Sequence, residues 1–220
     1  MWTKEQRVKI KALCSKTLPD EILGLLIGTV LGDGHLAPLH NNSDKAYLKI
    51  GQKSFNFVDF KLKLFSETLC VDPEIKKWVY KGKKSYHLNT IAHPDIYSLY
   101  KKMYSAGVKI ITEDVFEQLT VAGLALWYFD DGHYSRDNNS YYLSTCNFTL
   151  SEHHLMRTLL RKKFNIYTSI IRNQAYYKLY IAARSRLQFE NLIKSFVPEC
   201  MFYKCSSNIQ SPQRLNVNPS

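Results

Sequence analysis

The sequence lacks the cysteine and histidine patterns of a disulfide-stabilised or zinc-binding protein. Its five cysteines are odd in number and include no Cys-x-x-Cys pair. A dispersed, odd set argues against a disulfide framework and favours a reducing, intracellular compartment. No spacing typical of a zinc site occurs, and the pair His153-His154 is predicted to lie on an exposed helix surface.

Long apolar runs are also missing. The longest, Ile22 to Leu31, is about half of the roughly 20 residues that a transmembrane helix needs. The N-terminus shows no signal-peptide pattern. Its basic residues are interpreted as a helical arm from Thr3 to Lys16 rather than as a transit sequence, because Glu5 lies among them. A membrane partner is therefore not expected.

Acidic residues are few relative to basic ones. The 220 residues include 30 Lys+Arg and 19 Asp+Glu, which gives a net charge of +11, and 45% of the residues are hydrophobic. That apolar content predicts a globular chain with a real core. A basic excess spread from Lys4 to Arg214 fits a long nucleic-acid surface better than a single anion pocket. A basic protein that binds no nucleic acid is the alternative.

Among the residues that are present, an apolar segment from Ile22 to Gly34 stands out because its first charge comes only at Asp33. On a helix, Gly24 and Gly28 lie one turn apart on one face, so another backbone can approach that face closely. Gly34 suits a left-handed helix cap. Asp33 would lie at the negative end of the helix dipole, where a carboxylate is disfavoured unless a cation joins it.

A second segment, from Val121 to Gly132, repeats this pattern. Small residues lead into an apolar run that again closes on Asp-Gly. Chance and core packing explain one such copy easily and two copies poorly. Two helices packed through their small residues would bring Asp33 and Asp131 together at one end.

The elements around the two segments also repeat, in the order helix, two strands, helix, two strands, helix. In the first copy the second strand pair turns at Gly82-Lys83-Lys84, and the last helix runs from Pro94 to near Gly107. A repeat of this length indicates internal duplication with pseudo-twofold symmetry. The predicted class is therefore α+β with two αββαββα halves. The predicted divisions are a basic arm (1–18), a first half (19–110), a second half (111–205) and a polar tail (206–220).

The two segments, Leu26-Ile-Gly-Thr-Val-Leu-Gly-Asp-Gly34 and Leu124-Ala-Leu-Trp-Tyr-Phe-Asp-Asp-Gly132, both resemble the LAGLIDADG signature. From residue 20 to 205 the chain resembles a single-chain, two-motif LAGLIDADG homing endonuclease, most like the yeast mitochondrial intron-encoded branch. The resemblance implies motif helices packed at the centre and curved antiparallel sheets that form a DNA-binding saddle. It also implies a monomer from a mitochondrion or chloroplast.

The resemblance implies catalytic roles for two acids and two lysines, Asp33, Asp131, Lys109 and Lys204. It implies Mg²⁺ or Mn²⁺ as cofactor, held by the carboxylates of the two acids and the backbone carbonyls of Gly32 and Asp130. The sequence departs from the family pattern at three signature positions, Thr29, Leu31 and Leu126. Leu31 replaces an acid there, which leaves Asp33 as the only carboxylate of the first motif. The other two departures affect how closely the motif helices pack.

The activity implied is hydrolysis of one phosphodiester in each strand of a long, poorly symmetric DNA site, leaving 3′ overhangs. Mg²⁺ is commonly held by one or two carboxylates plus substrate oxygens. Two-stranded ribbons fit the major groove and present alternate side chains to base edges. Which of the two alternating sets of strand side chains faces DNA is left open. The candidate DNA contacts are Lys49, Lys53, Lys77, Lys81, Lys83, Lys84, His87, Asn89, Arg136, Tyr142, Ser144, Arg172, Lys178, Tyr180 and Arg184.

Two other functions use the same fold. One is an RNA-binding maturase that helps a group I intron splice, with or without cleavage. The other is a non-catalytic DNA-binding regulator. Loss of either aspartate would favour the regulator, and both Asp33 and Asp131 are present.

Overall fold

The computed structural model describes residues 16–40, 43–66, 69, 71, 74–173 and 175–209, together with residues 5, 8 and 12. All but four residues of the predicted helical arm from Thr3 to Lys16, and most of the polar tail, therefore lie outside the described residues. Within the described part, no helix is both long enough and apolar enough to cross a membrane.

The described chain runs twice through the predicted order of elements. The first pass contains α1 (Asp20–Leu31), β1 (His35–Pro38), β2 (Ala46–Gln52), α2 (Phe55–Ser66), β3 (Lys76–Tyr80), β4 (Lys83–Asn89) and α3 (Pro94–Met103). A short hairpin and helix follow, β5 (Tyr104–Ser105), β6 (Val108–Lys109) and α4 (Glu113–Glu117). The second pass contains α5 (Val121–Asp131), β7 (Gly132–Ser135), β8 (Ser140–Leu143), α6 (Leu150–Phe164), β9 (Thr168–Asn173), β10 (Tyr176–Ile181) and α7 (Arg186–Ile193).

The two halves build equivalent antiparallel sheets. Their strand orders are β1-β2-β4-β3 and β7-β8-β10-β9, so each strand of the first half has a counterpart in the second. One continuous hydrophobic cluster runs through both halves and includes the apolar residues of α1 and α5. The predicted α+β class with two αββαββα halves is confirmed.

The helices α1 and α5 meet backbone to backbone. A Cβ added at Gly28 would lie 1.9 Å from the carbonyl oxygen of Gly123, and one added at Gly123 would lie 2.1 Å from the carbonyl oxygen of Gly24. These distances are far shorter than any real carbon–oxygen contact, so neither Gly28 nor Gly123 has room for a side chain. The predicted close approach through small residues is confirmed.

Gly34 differs from its prediction. The described glycines with positive φ are Gly82 and Gly107, so Gly34 is not a left-handed cap. Its amide donates to the carbonyl oxygen of Thr29 at 2.8 Å. A Cβ at Gly34 would lie 2.7 Å from that same oxygen. Glycine is needed here because the chain folds back against its own helix, and not because of its φ angle.

Two hairpin turns also differ from prediction, because left-handed residues fall elsewhere than expected. The helix predicted to reach Gly107 ends at Met103, because Tyr104 is extended and starts β5. Ala106 and Gly107 have φ of 48° and 79° and form the turn between β5 and β6. The turn between β3 and β4 consists of Lys81 and Gly82, with φ of 47° and 73°. The two lysines that follow, predicted in the turn, belong to β4.

His153 is buried, and its predicted exposure is wrong. The ring is 0% exposed. Its Nε2 pairs with Thr145 Oγ1 at 2.7 Å and its Nδ1 pairs with the carbonyl oxygen of Thr149 at 2.7 Å. Both ring nitrogens therefore have partners, which is the usual condition for a buried polar side chain.

Candidate active site at the ends of the motif helices

The two motif helices end side by side. A Cβ added at Gly32, the residue after α1, would lie 2.4 Å from the Cβ of Asp130 near the end of α5. Asp33 is exposed and Asp131 is half-buried. The structure thus brings the two motif ends together, with both acidic residues at the same end of the seam.

Lys109 covers the end of α1. Its Nζ donates to the carbonyl oxygens of Val30 at 2.7 Å and Gly32 at 3.0 Å. The last carbonyls of a helix lack partners within the helix and carry the negative end of its dipole, so a cation there is stabilising. Strand pairing of Lys109 with Tyr104 in the β5–β6 hairpin holds the lysine in place.

Lys204 does the same at the end of α5. Its Nζ donates to the carbonyl oxygens of Phe129 at 2.7 Å and Asp130 at 2.8 Å. The hydroxyl of Tyr128 donates to the carbonyl oxygen of Lys204. Each of the two predicted lysines therefore lies at the motif helix of its own half.

A buried polar network fixes the segment that carries Lys204. The hydroxyl of Tyr141 donates to Glu190 Oε1 at 2.8 Å, and the Ser206 hydroxyl donates to the same oxygen at 2.8 Å. The amide of Ser206 donates in turn to the Tyr141 hydroxyl at 3.0 Å. Because Glu190 and Ser206 are almost fully buried, this network anchors the chain immediately after Lys204.

The pKa values of the acids and lysines at the ends of the motif helices differ from those of isolated side chains. Burial raises the pKa of Asp131 to about 7, and the neighbouring carboxylates of Asp33 and Asp130 add to the rise. Burial lowers the pKa of Lys109 and of Lys204, and the three carboxylates oppose that change. Acids and lysines with shifted pKa values in one cluster are typical of functional sites.

The oxygen atoms at the site suit a hard divalent ion. Carboxylate and carbonyl oxygens are the donors that Mg²⁺ and Mn²⁺ prefer. No group of three or more Asp, Glu, His and Cys side chains that could hold a metal occurs among the described residues. The two carboxylates of Asp33 and Asp131 thus fit an ion whose other positions are filled by water and a substrate phosphate. The Gly32 and Asp130 carbonyls accept from lysines yet keep a second lone pair, so their coordination stays a prediction.

Sequence reasoning missed two residues at the site. Lys61 on α2 is fully buried and its Nζ donates to both oxygens of Asp130, at 2.6 and 2.8 Å. The side-chain amide of Gln52, at the end of β2, donates to Asp130 Oδ1 and to Asp33 Oδ2, each at 2.8 Å. The acceptors are both carboxylate oxygens, so Gln52 must present its NH₂ group to them.

A sequence signal for Lys61 existed. It lies four residues from Phe57 and four from Phe65, and helical spacing puts all three on one face. A lysine on an apolar helix face needs a buried anion. Asp130, inside the apolar run of the second motif, is that anion.

The strand register shows which of the two alternating sets of side chains in each sheet faces away from the core. In β2 the buried residues Ala46, Leu48 and Ile50 alternate with exposed or half-buried ones. Directly paired residues share a face in an antiparallel sheet. The outer faces therefore carry seven of the predicted DNA contacts, Lys49, Lys83, His87 and Asn89 in the first sheet and Tyr142, Lys178 and Tyr180 in the second. The eight strands of the two sheets contain no Asp or Glu.

Three predicted contacts lie on the opposite, helix-facing side. Lys77 pairs with Tyr86, which shares the side of buried Leu88. Lys84 lies on that same side of β4, and Arg172 shares the side of Ile170, which pairs with buried Leu179. Side chains alternate between the two faces of a strand, so these three residues do not share a face with the other seven. Their contact with DNA stays a prediction.

The remaining predicted contacts lie beside the strands. Lys53 follows β2, Lys81 and Arg136 occupy the turns of their hairpins, and Ser144 follows β8. The guanidinium of Arg184 stacks 3.6 Å from the ring centre of Tyr167. No observation tests whether any of these residues contacts DNA.

Several known proteins are similar to this chain. A probable intron-encoded endonuclease from Wickerhamomyces canadensis is 28% identical, over 84% of this chain and 83% of its own. The DNA endonuclease I-ChuI of Chlamydomonas applanata is 26% identical, over 83% and 93%. The cytochrome b mRNA maturase bI2 of Debaryomyces hansenii is 25% identical, over 86% and 75%.

The solved structure of the homing endonuclease I-WcaI bound to its DNA recognition sequence matches with a TM-score of 0.77 at 25% identity. The match covers 89% of this chain and 91% of that one. A model of the LAGLIDADG DNA endonuclease family matches residues 23–189, which include most of α1, all of α5 and every strand of both four-stranded sheets. The chain belongs to the LAGLIDADG DNA endonuclease family.

Proposed function

We propose that this chain binds a long, poorly symmetric double-stranded DNA site and hydrolyses one phosphodiester in each strand. One arrangement carries the proposal: the two motif helices end together, with Asp33 just after the end of α1, Asp131 as the last residue of α5, and one lysine on the terminal carbonyls of each helix. The acid-free strands on either side supply a surface that a polyanion can approach.

The carboxylates of Asp33 and Asp131, with the carbonyls of Gly32 and Asp130, would hold Mg²⁺ or Mn²⁺. Such an ion neutralises phosphate charge and lowers the pKa of a bound water. Lys109 and Lys204 offset the negative helix ends and the carboxylates, and place positive charge beside the bound phosphates. Burial lowers the pKa of both lysines, which makes loss of a proton from either one less costly than from a free lysine.

The outer strand faces supply recognition in this proposal. Lysines, tyrosines, His87 and Asn89 offer donors, acceptors and rings to base edges in the major groove, while turn residues such as Lys81 and Arg136 reach phosphates. Two motifs in one chain make a monomer sufficient. The divisions into an arm (1–18), two halves (19–110 and 111–205) and a tail (206–220) stay predictions. The free cysteines at 146, 200 and 205 fit a reducing compartment, which we assign to an organelle.

Cleavage selection from a randomised duplex library in Mg²⁺ tests the proposal. We expect wild-type protein to enrich one cut site, and EDTA or Asp33→Asn to prevent enrichment. Enrichment by Asp33→Asn/Asp131→Asn at the wild-type level would contradict the assigned site, and no cleavage by wild type would contradict the function.

Intron maturation is a second candidate, because the relative from Debaryomyces hansenii bears the name of an mRNA maturase. A maturase of this fold would bind intron RNA without needing its aspartates. Splicing of a host intron that persists in Asp33→Asn, with cleavage lost, would establish it beside the endonuclease.

A further inference from the structure

A buried ion pair crosses from the first half to the second at the motif ends. Lys61 lies on α2 of the first half, and Asp130 lies on α5 of the second. Both side chains are 0% exposed, with Nζ 2.6 Å from Oδ1. Lys61 is held further by the ring of Phe57, whose centre is 4.6 Å from Nζ. A buried pair of this kind keeps its charges only while both partners are present.

The ion pair is linked to the active-site cluster by one side chain. Gln52 donates to Asp130 Oδ1, the oxygen that also accepts from Lys61, and to Asp33 Oδ2. Lys61 therefore fixes the Asp130 carboxylate, Asp130 fixes the Gln52 amide, and Gln52 fixes the Asp33 carboxylate. Among the hydrogen bonds of the described residues, none joins the Asp131 side chain to this chain of bonds.

The other half has no such pair. Ser54 caps α2 and Thr149 caps α6, and each accepts from amides at the start of its helix. Counting from these caps, Lys61 corresponds to Met156, which is also 0% exposed. Asp130 corresponds to Gly32, since each precedes the last acid of its motif. The pseudo-twofold partner of the ion pair is thus a methionine and a glycine, and the hydrogen bonds of the link reach the carboxylate of Asp33 and not that of Asp131.

We propose that Lys61 is a positioning residue for DNA cleavage, which acts through Asp130 and Gln52 to orient Asp33. Removal of Lys61 therefore slows scission of one strand more than the other. This inference rests on the proposed endonuclease function. A structural role for Lys61 alone would lower the folded fraction and slow both strands equally.

The test is a double-mutant cycle with Lys61→Met and Gln52→Met, read as single-turnover cutting rates of each labelled strand of the selected site. We expect each single variant to change the ratio of the two rates by about 10–100-fold, the size seen when residues behind a metal ligand are replaced. In the Gln52→Met background, Lys61→Met should change the ratio no further, because the link is already broken. Lys63→Met is the matched control, since Lys63 lies on the same helix with its side chain 75% exposed.

A metal-free thermal melt separates folding from positioning. Lys61→Met should lower the melting temperature by leaving a buried carboxylate unpaired, and Lys61→Met/Asp130→Asn should recover most of the loss. If Lys61→Met does not fold, Gln52→Met alone must show the strand bias, because Gln52 is only half-buried and its loss leaves no buried charge.

Equal slowing of both strands, an unchanged ratio in Gln52→Met, or additive effects in the cycle would each overturn this inference while wild-type cleavage upholds the endonuclease. Absence of wild-type cleavage would instead overturn the proposed function itself.

Discussion

The two halves share a skeleton and differ in the polar chemistry at its centre. Both have the same strand order, the same helix order and one lysine on the motif-helix carbonyls. The first motif ends in Gly32-Asp33 with an exposed acid, while the second ends in Asp130-Asp131 with a half-buried one. Duplication can thus preserve a fold while each copy acquires its own electrostatics, which suits a DNA site whose two halves differ.

The largest expected effect falls equally on both halves. Asp33→Asn and Asp131→Asn should each lower double-strand cleavage by at least about 10³-fold, as expected on losing an electrostatic contributor to the transition state. DNA affinity should stay within about tenfold, because lysine–phosphate contacts dominate binding. Rates from a cleavage assay and affinities from a binding titration check this. Full cleavage by either variant would remove that acid from the site.

A smaller expected effect is a difference in stability between substitutions at two glycines of the seam, Gly28 and Gly24. Gly28→Ala would push a Cβ into the backbone of Gly123, whereas Gly24→Ala would meet only the side chain of Thr120, at 2.4 Å. We expect Gly28→Ala to cost more than the usual 1–3 kcal/mol of overpacking, about 3 kcal/mol or above, and to impair cleavage with folding. Gly24→Ala should cost less, because its added Cβ meets the side chain of Thr120 at the start of α5 and not the backbone within the seam. Equal denaturation midpoints for the two variants would place the tight contact elsewhere.

The effect of Asp131 on stability should depend on pH. The folded-state pKa of Asp131, about 7, lies above its ordinary 3.8, so its ionisation opposes folding. The penalty is absent below about pH 4 and full above about pH 7, with an upper limit of about 4 kcal/mol. In EDTA, Asp131→Asn should therefore raise the melting temperature near pH 8 and much less near pH 5. A shift independent of pH would contradict the burial of Asp131.

The smallest expected effect is a difference in the salt dependence of DNA binding between lysines on the two faces of one sheet. Lys49 lies on the outer face and Lys77 on the helix side of the first sheet. Lys49→Ala should reduce the slope of log affinity against log salt by about 1 when one phosphate contact is lost. Lys77→Ala should leave the slope nearly unchanged. A salt titration of both variants measures this, and the reverse order would mean that DNA binds the helix side.

The elements that sequence predicts best are those with a periodic pattern. The two motif helices, the half-buried strands and the close approach at Gly28 follow from spacing and residue size. The β5–β6 hairpin does not, because the extended conformation of Tyr104 ends the preceding helix and the left-handed conformations of Ala106 and Gly107 form the turn. The sequence also does not determine which side chains of each strand face away from the core. In β3 every residue is exposed, so no buried residue marks the core-facing side.

At the site, sequence indicates the acids and the two lysines through repetition and resemblance. It does not indicate Gln52, because its two acceptors, Asp33 and Asp130, come from different halves and meet only after folding. Lys61 was overlooked among the many lysines of a basic chain, although its spacing from Phe57 and Phe65 marks it as buried. Pairwise contacts across a seam leave little trace in one sequence.

The symmetry of the cleaved DNA tests most directly whether two halves with different chemistry act as one enzyme. Sites recovered by wild-type protein in Mg²⁺ from a randomised duplex library should share one long sequence without twofold symmetry. Each strand should be cut once near the centre of that sequence. Recovery of a palindromic site, or of no site at all, would contradict the account.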